Sequence, residues 1–191
     1  VGELGWELYV SAEMANHVFE TIVERAEDHP LQLCGLHALD SCRIEKAFRH
    51  FGHDISNEDH VLEAGLGFTV KETKPEGRFG PMIGCDAVKA KRNDGLSQRL
   101  MQFRLKDPDP LLYHNEAILR DGELVGYLTS GNYGHHLAGA IGLGYVKCGV
   151  AGESAQDQLN SSYSIDVAGK TIEAEVSFKP MYDPEAAQVR L

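Results

Sequence analysis

Cationic side chains are scarce in this sequence: 18 Lys and Arg stand against 29 Asp and Glu, for a formal net charge of −11. That balance argues against nucleic-acid partners and against an anionic membrane surface. Long hydrophobic runs are missing, and no apolar stretch approaches the roughly 20 residues of a membrane-spanning helix. No signal-peptide pattern is present, although in a chain that reads as a fragment this carries little weight. The four cysteines, Cys34, Cys42, Cys85 and Cys148, are widely spaced and form no Cys-x-x-Cys pair. They read as reduced thiols of an intracellular protein, with Cys34 and Cys42 in an apolar, helical stretch. There is no Gly-x-Gly-x-x-Gly fingerprint and no glycine loop ending in Gly-Lys-Ser/Thr, so neither common phosphate-cradling loop is available. No Ser/His/Asp or Cys/His nucleophile arrangement stands out.

What is present is organised by periodicity. Leu4, Trp6, Leu8 and Val10 alternate with Glu3, Gly5, Glu7 and Tyr9, which predicts a half-buried strand over 2–10. A chain that opens inside a strand reads as part of a longer protein. Ser11 is placed to cap a helix carrying Met14, Val18, Phe19, Ile22, Val23 and Ala26 at helical spacing, ended before Pro30. A second helix is predicted over about 33–47, a polar loop over 51–60 and a strand over 66–70. Residues 71–98, rich in Pro, Gly and charge, read as a connector with a short helix near 84–91. The second half reads as β. Met101, Phe103 and Leu105 alternate, as do Ile141, Leu143 and Tyr145. Asp121-Gly122 joins two runs as a two-residue hairpin turn, and Ala168-Gly169-Lys170 joins the last two. Short strands with regular turns suggest a small barrel or sandwich.

Few residues suggest chemistry. Glu7 faces away from Leu4, Trp6 and Leu8. It is either an exposed strand carboxylate or the acceptor of two parallel N–H bonds from a planar heterocycle, each contributing about 1.5–3 kcal/mol. Arg43 is either a helix-surface charge paired with Asp40 or a bidentate ligand for a carboxylate. His50, His53, Asp54 and His60 have the residue types of a metal site but lack a second ligand pair at standard spacing, so a hydrogen-bonded polar loop is the simpler reading. His135-His136 is a weaker candidate still. Thr129-Ser130-Gly131-Asn132-Tyr133-Gly134 reads as a wide hairpin connection, or as backbone that a flat ligand approaches closely.

The ordered set Gly2-Glu3-Leu4-Gly5-Trp6-Glu7, Arg43-Ile44-Glu45-Lys46, Gly52-His53-Asp54, Leu62-Glu63-Ala64-Gly65-Leu66, Gly80, Arg120 through Gly131, Gly142-Leu143-Gly144-Tyr145-Val146 and Pro180-Met181-Tyr182-Asp183-Pro184 resembles the folate-binding aminomethyltransferase module. That module is the glycine-cleavage T-protein and the C-terminal part of dimethylglycine and sarcosine dehydrogenases, and the wording leans toward the dehydrogenases. The resemblance implies an α+β chain, the C-terminal portion of a three-lobed fold. Residues 1–95 would be the later part of an α/β lobe and 96–191 a small antiparallel β-barrel-like lobe. It implies tetrahydrofolate as the ligand, with Glu7 and Arg43 as cofactor-binding residues. A catalytic aspartate and, in the dehydrogenases, an FAD domain would lie upstream on the same polypeptide, so that no residue of 1–191 is assigned as catalytic and the chain alone is expected to be inactive. For the parent it implies oxidation of a small N-methyl amine by flavin and transfer of the one-carbon unit to tetrahydrofolate, in the cytoplasm or, in a eukaryote, the mitochondrial matrix. A flavin-free T-protein and a non-catalytic module of the same fold are the competing readings.

Overall fold

The structure is a computed structural model that describes residues 1–26, 29–70, 82–149 and 153–190. Its centre is made by the alternating segments of the second half. Strands β1 (Gln98–Leu105), β2 (Ala117–Arg120), β3 (Glu123–Gly134), β4 (Gly139–Lys147), β5 (Tyr163–Val167) and β6 (Lys170–Ser177) close into an antiparallel barrel in the order β1-β4-β3-β2-β5-β6. Closure pairs β6 with β1, Phe103 opposite Val176, and leaves no open sheet edge. The barrel, rather than a sandwich, is therefore the outcome. Asp121 and Gly122 take φ of +52° and +88°, the left-handed pair that a tight hairpin needs.

Met101, Phe103 and Leu105 fill the barrel together with Ile118, Leu128, Val146, Tyr163 and Ile165. Phe103 and Tyr163 meet edge to face, 5.9 Å between ring centroids. The Tyr163 hydroxyl is buried with no hydrogen-bond partner among the described residues, and burial pushes it up to about 12. Room for the large β1 side chains comes from β4, where Gly144 lies opposite Met101 and Gly142 opposite Phe103. A Cβ on Gly144 would sit 2.7 Å from both Ile118 Cδ1 and the Tyr127 carbonyl oxygen. The alternating Ile141 and Leu143 face outward. They join Leu100, Ile44 and Ala47 in a second core that seats a helix on the barrel wall.

That helix is α2 (Leu36–Glu45), which follows α1 (Ala12–Arg25) and precedes α3 (Cys85–Asp94) and the short α4 (Ala155–Leu159). The predicted helix over 33–47 is thus shorter at both ends: it starts after Gly35 and stops where Ala47 takes φ +54°. Cys34 lies outside it, and Cys34 and Cys42 are both exposed. No residue of α1 is buried. The strand predicted over 2–10 is not formed, because no strand among the described residues pairs with it, and its apolar side chains are exposed. The strand predicted over 66–70 is replaced by a 3-10 turn at Gly67–Thr69, set up by Gly65 at φ +70° and the bond from Leu66 N–H to the Val61 carbonyl. The connector reading falls partly on 71–81, which lie outside the described residues.

α4 opens on a capping box between Ser154 and Asp157. Buried Gln158 accepts from Arg99 Nη1 at 3.0 Å, and Arg120 Nη2 meets Glu153 Oε1 at 2.5 Å. The Arg120 hydrogen bond holds the Glu153 carboxyl below its ordinary range.

Two tests follow from this packing. Gly144→Val should cost about 1–3 kcal/mol by overpacking, read as a lower urea midpoint with unchanged slope. Because the folded Glu153 carboxyl is depressed, its contribution is present above about pH 4.5 and is lost as pH falls through the folded value. The stability gap between wild type and Glu153→Gln, followed by denaturation at each pH, should therefore be widest near neutrality and close in acid.

Candidate functional site

Docking α2 on β1 and β4 brings its polar side against β3. Ser41 Oγ donates to the Tyr133 carbonyl at 2.6 Å, and Asn132 Nδ2 donates to the His37 carbonyl at 3.3 Å. Between these contacts sits Arg43, 5% exposed, so the helix-surface reading of this residue is corrected. Its Nε donates to Asp40 Oδ1 (2.9 Å), Nη1 to Asp54 Oδ2 (2.5 Å) and to the Phe48 carbonyl (3.2 Å), and Nη2 to Ser130 Oγ (2.7 Å). Four of the five guanidinium N–H groups are thus committed. A bidentate grip on a ligand carboxylate would require breaking one of these bonds.

Asp54 is the buried counter-charge of this guanidinium. Its side chain is fully buried beside Arg43, and it also accepts from the His50 backbone N–H at 2.9 Å and from Thr129 Oγ1 at 2.5 Å. Thr129 and Ser130 are neighbours in β3, and regular alternation would send them to opposite faces. A register shift between Leu128 and Ser130 forms a bulge that lets both hydroxyls reach the Arg43–Asp54 pair. The stretch 129–134, expected as a loop, lies wholly within β3 and stays paired to Gly134 opposite Gly139. Its glycine is needed for close approach, but by the chain itself: a Cβ on Gly131 would lie 2.7 Å from the Tyr113 nitrogen.

The rest of Arg-Ile-Glu-Lys is equally committed. Buried Glu45 accepts from the backbone N–H groups of His136 (2.7 Å) and Leu137 (3.0 Å) and lies 2.9 Å from His136 Nδ1. Lys46 Nζ, also buried, donates to the Gly2 carbonyl at 2.7 Å and pairs with Asp183 Oδ2 at 2.8 Å. The rings of His50 and His53 pack at a tilt of 40°, centroids 4.6 Å apart. Among the described residues, no group of His, Cys, Asp or Glu is placed to hold a metal ion.

A cavity of about 490 Å³ opens at the α2–β3 junction, lined by His37, Asp40 and Arg43 of α2, by His53, by the crossing segment 111–114 and by 129–133 of β3. Arg43 is in its wall. Glu7 is not: it is exposed, with Oε2 accepting from the Tyr9 hydroxyl at 2.6 Å, and that bond pushes the Tyr9 phenol upward. The structure therefore does not bring Glu7 and Arg43 to one place.

Removing Asp54 should be severe, because it strands a buried guanidinium. Asp54→Ala is expected to lose about 3–5 kcal/mol, whereas Ser130→Ala should lose about 0.5–1.5 kcal/mol, both measured by denaturant unfolding.

Comparison with known proteins follows the same division. The sequence model of the GCVT N-terminal domain matches residues 1–74, and that of the glycine cleavage T-protein C-terminal barrel domain matches 98–183. The chain is 40% identical over 190 residues to 4-methylaminobutanoate oxidase (formaldehyde-forming) of Paenarthrobacter nicotinovorans, covering 100% of this chain and 22% of that protein. It is 34% identical to human mitochondrial sarcosine dehydrogenase, over 100% of this chain and 20% of that one. An aminomethyltransferase of Halothermothrix orenii is 39% identical over 146 residues, 76% of this chain and 39% of the relative. The chain thus spans about a fifth of the length of the first two. The fold matches glycine cleavage system aminomethyltransferase T from Bartonella henselae with a TM-score of 0.72 at 21% identity, covering 88% of this chain and 45% of that one. Among the described residues, no helix is long and apolar enough to cross a membrane.

Proposed function

Since the chain belongs to the glycine cleavage T-protein family, with sequence of both its N-terminal and its C-terminal barrel domains, we propose that it is the tetrahydrofolate-binding portion of a flavin-dependent N-methyl amine dehydrogenase acting on dimethylglycine or sarcosine. Residues 1–95 are the later part of the folate-binding core, and 96–191 are the barrel domain. The catalytic aspartate and the FAD site belong to other parts of the same polypeptide. The small amine is its second partner, and the mitochondrial matrix is its compartment in a eukaryote.

The observation that carries this reading is the cavity between α2 and β3. Its walls hold flat rings, Tyr113, Tyr133 and His53, suited to stacking on a planar heterocycle, and polar groups from Asp40, Arg43 and Asn132. A volume of about 490 Å³ is in the range of small-molecule and cofactor sites. Bound tetrahydrofolate supplies the amine nitrogens that take up a one-carbon unit. The residues of this chain bind and orient it: Arg43 fixes the cavity wall and keeps one N–H uncommitted among the described residues, and Glu7, exposed outside that cavity, is the carboxylate that the family resemblance assigns to the pterin ring. Holding the reacting nitrogen in place is the largest rate contribution open to such a site.

A flavin-free aminomethyltransferase is the second reading, favoured by the Halothermothrix orenii relative. The absorption spectrum of the full-length protein separates the two, since only the first shows flavin bands.

In the full-length protein, Glu7→Ala should weaken tetrahydrofolate binding at least tenfold by calorimetry while leaving flavin reduction by the amine unchanged. Unaltered folate affinity would remove Glu7 from the site. Residues 1–191 alone should transfer no one-carbon unit, and any measured turnover would reveal a base within them.

A further inference from the structure

The segment that carries Glu7 has little to hold it. Residues 3–10 are exposed, and α1 behind them buries nothing. Among the described residues, the hydrogen bond from Lys46 Nζ to the Gly2 carbonyl, 2.7 Å, is the one hydrogen bond that joins residues 1–34 to the rest of the chain. The same ammonium lies 2.8 Å from Asp183 Oδ2 and 3.8 Å from Glu3 Oε1. The Lys46 side chain is 3% exposed. A cation so deep is tolerated only while its donors are used, so releasing the Gly2 carbonyl would strand a buried N–H. Gly2 is shaped for this contact. Its φ is +87°, and a Cβ there would sit 2.4 Å from Phe48 Cε2. The far side of Lys46 is fixed as well. Asp183 also accepts from the N–H groups of Ala187 (2.7 Å) and Gln188 (3.2 Å). Tyr182 stacks on His136 with centroids 4.0 Å apart, and Met181 N–H donates to Gln102 Oε1 of β1 at 2.7 Å.

We propose that Lys46 is the positioning residue of Glu7: with Asp183 behind it, Lys46 pins the opening segment at Gly2 and so sets where the ring-binding carboxylate stands. The five residues from Gly2 to Glu7 reach at most roughly 17 Å, so a pin at Gly2 confines Glu7 to the neighbourhood of the α2 C-terminus. Without it the exposed segment samples many conformations, and binding must suppress them at an entropic cost. The proposal also makes the C-terminal stretch 181–188 part of the ligand site at one remove, although it is far from Glu7 in sequence. The inference deepens the folate reading and rests on its assignment of Glu7 to the pterin ring. The pin itself, made of Lys46, Asp183 and Gly2, makes no reference to folate.

The test uses the full-length protein that contains this chain. Tetrahydrofolate affinity is measured by calorimetry, and freedom of the segment by the rate of chymotryptic cleavage after Trp6, with the cut identified by mass. Lys46→Met should weaken tetrahydrofolate at least fivefold and speed that cleavage at least fivefold. Gly2→Ala, which leaves the Lys46–Asp183 pair in place, should do the same, and it decides the matter if Lys46→Met fails to fold. Lys46→Arg keeps a cationic donor and should stay within threefold of wild type in both readouts. In a Glu7→Ala background, adding Lys46→Met should weaken binding less than twofold further, because Lys46 acts through Glu7; a merely structural defect would add in full. Unchanged cleavage in both Lys46→Met and Gly2→Ala, or a full further loss in the Glu7→Ala background, overturns the proposal. If Glu7→Ala weakens tetrahydrofolate while Lys46→Met and Gly2→Ala do not, Lys46 falls and the folate reading stands. If cleavage rises in both variants and the wild type does not bind tetrahydrofolate, the pin stands and the folate reading falls.

Discussion

The ion pair between Arg43 and Asp54 is the constraint around which the site is arranged. Two charges taken out of water are costly unless every remaining donor and lone pair is used. Here that requirement recruits three stretches of chain: α2 supplies Arg43 and Asp40, the turn after it supplies Asp54 and the His50 N–H, and β3 supplies Thr129 and Ser130. None of these can move independently without stranding a buried charge. The bulge at Thr129 is part of the same constraint, since it delivers two adjacent hydroxyls to one pair.

The tetrapeptide Arg43-Ile44-Glu45-Lys46 shows how a short helix can organise a larger body. Consecutive residues on a helix point about 100° apart, and all four are buried, so α2 is enclosed on most of its circumference at its C-terminal end. Arg43 secures the turn and β3, and Ile44 enters the core shared with Leu100, Ile141 and Leu143. Glu45 satisfies the N–H groups of the β3–β4 turn, while Lys46 ties the opening segment to the C-terminal one. The cavity is what remains beside this helix, where Gly131 lets segment 111–114 cross β3 closely.

What the sequence made legible follows from which forces are local. The barrel strands are visible because Met101, Phe103 and Leu105 alternate and because Asp121-Gly122 allows only a tight turn. The family was legible from ordered motifs. Three features were not. Arg43 reads as a surface charge because its partners lie 11 and 87 residues away. Thr129–Gly134 reads as a loop because its glycines report close packing, not flexibility. Residues 2–10 carry the period of a strand, but period alone supplies no partner for backbone hydrogen bonds. The hydrogen-bonded polar loop read over 51–60 is what Asp54 belongs to, but its burial against Arg43 depends on Thr129, 75 residues away, and leaves no local signal.

The position of the cavity has a thermodynamic consequence. It is bounded on one side by a helix and on the other by a barrel strand, so its shape exists only while the two are docked. A ligand that fills it binds the docked arrangement alone and stabilises it in proportion to the logarithm of its concentration over its dissociation constant. By reciprocity, any change that loosens α2 from β4, however far from the cavity wall, is also a change in affinity. Occupancy and the cohesion of the two parts are one equilibrium.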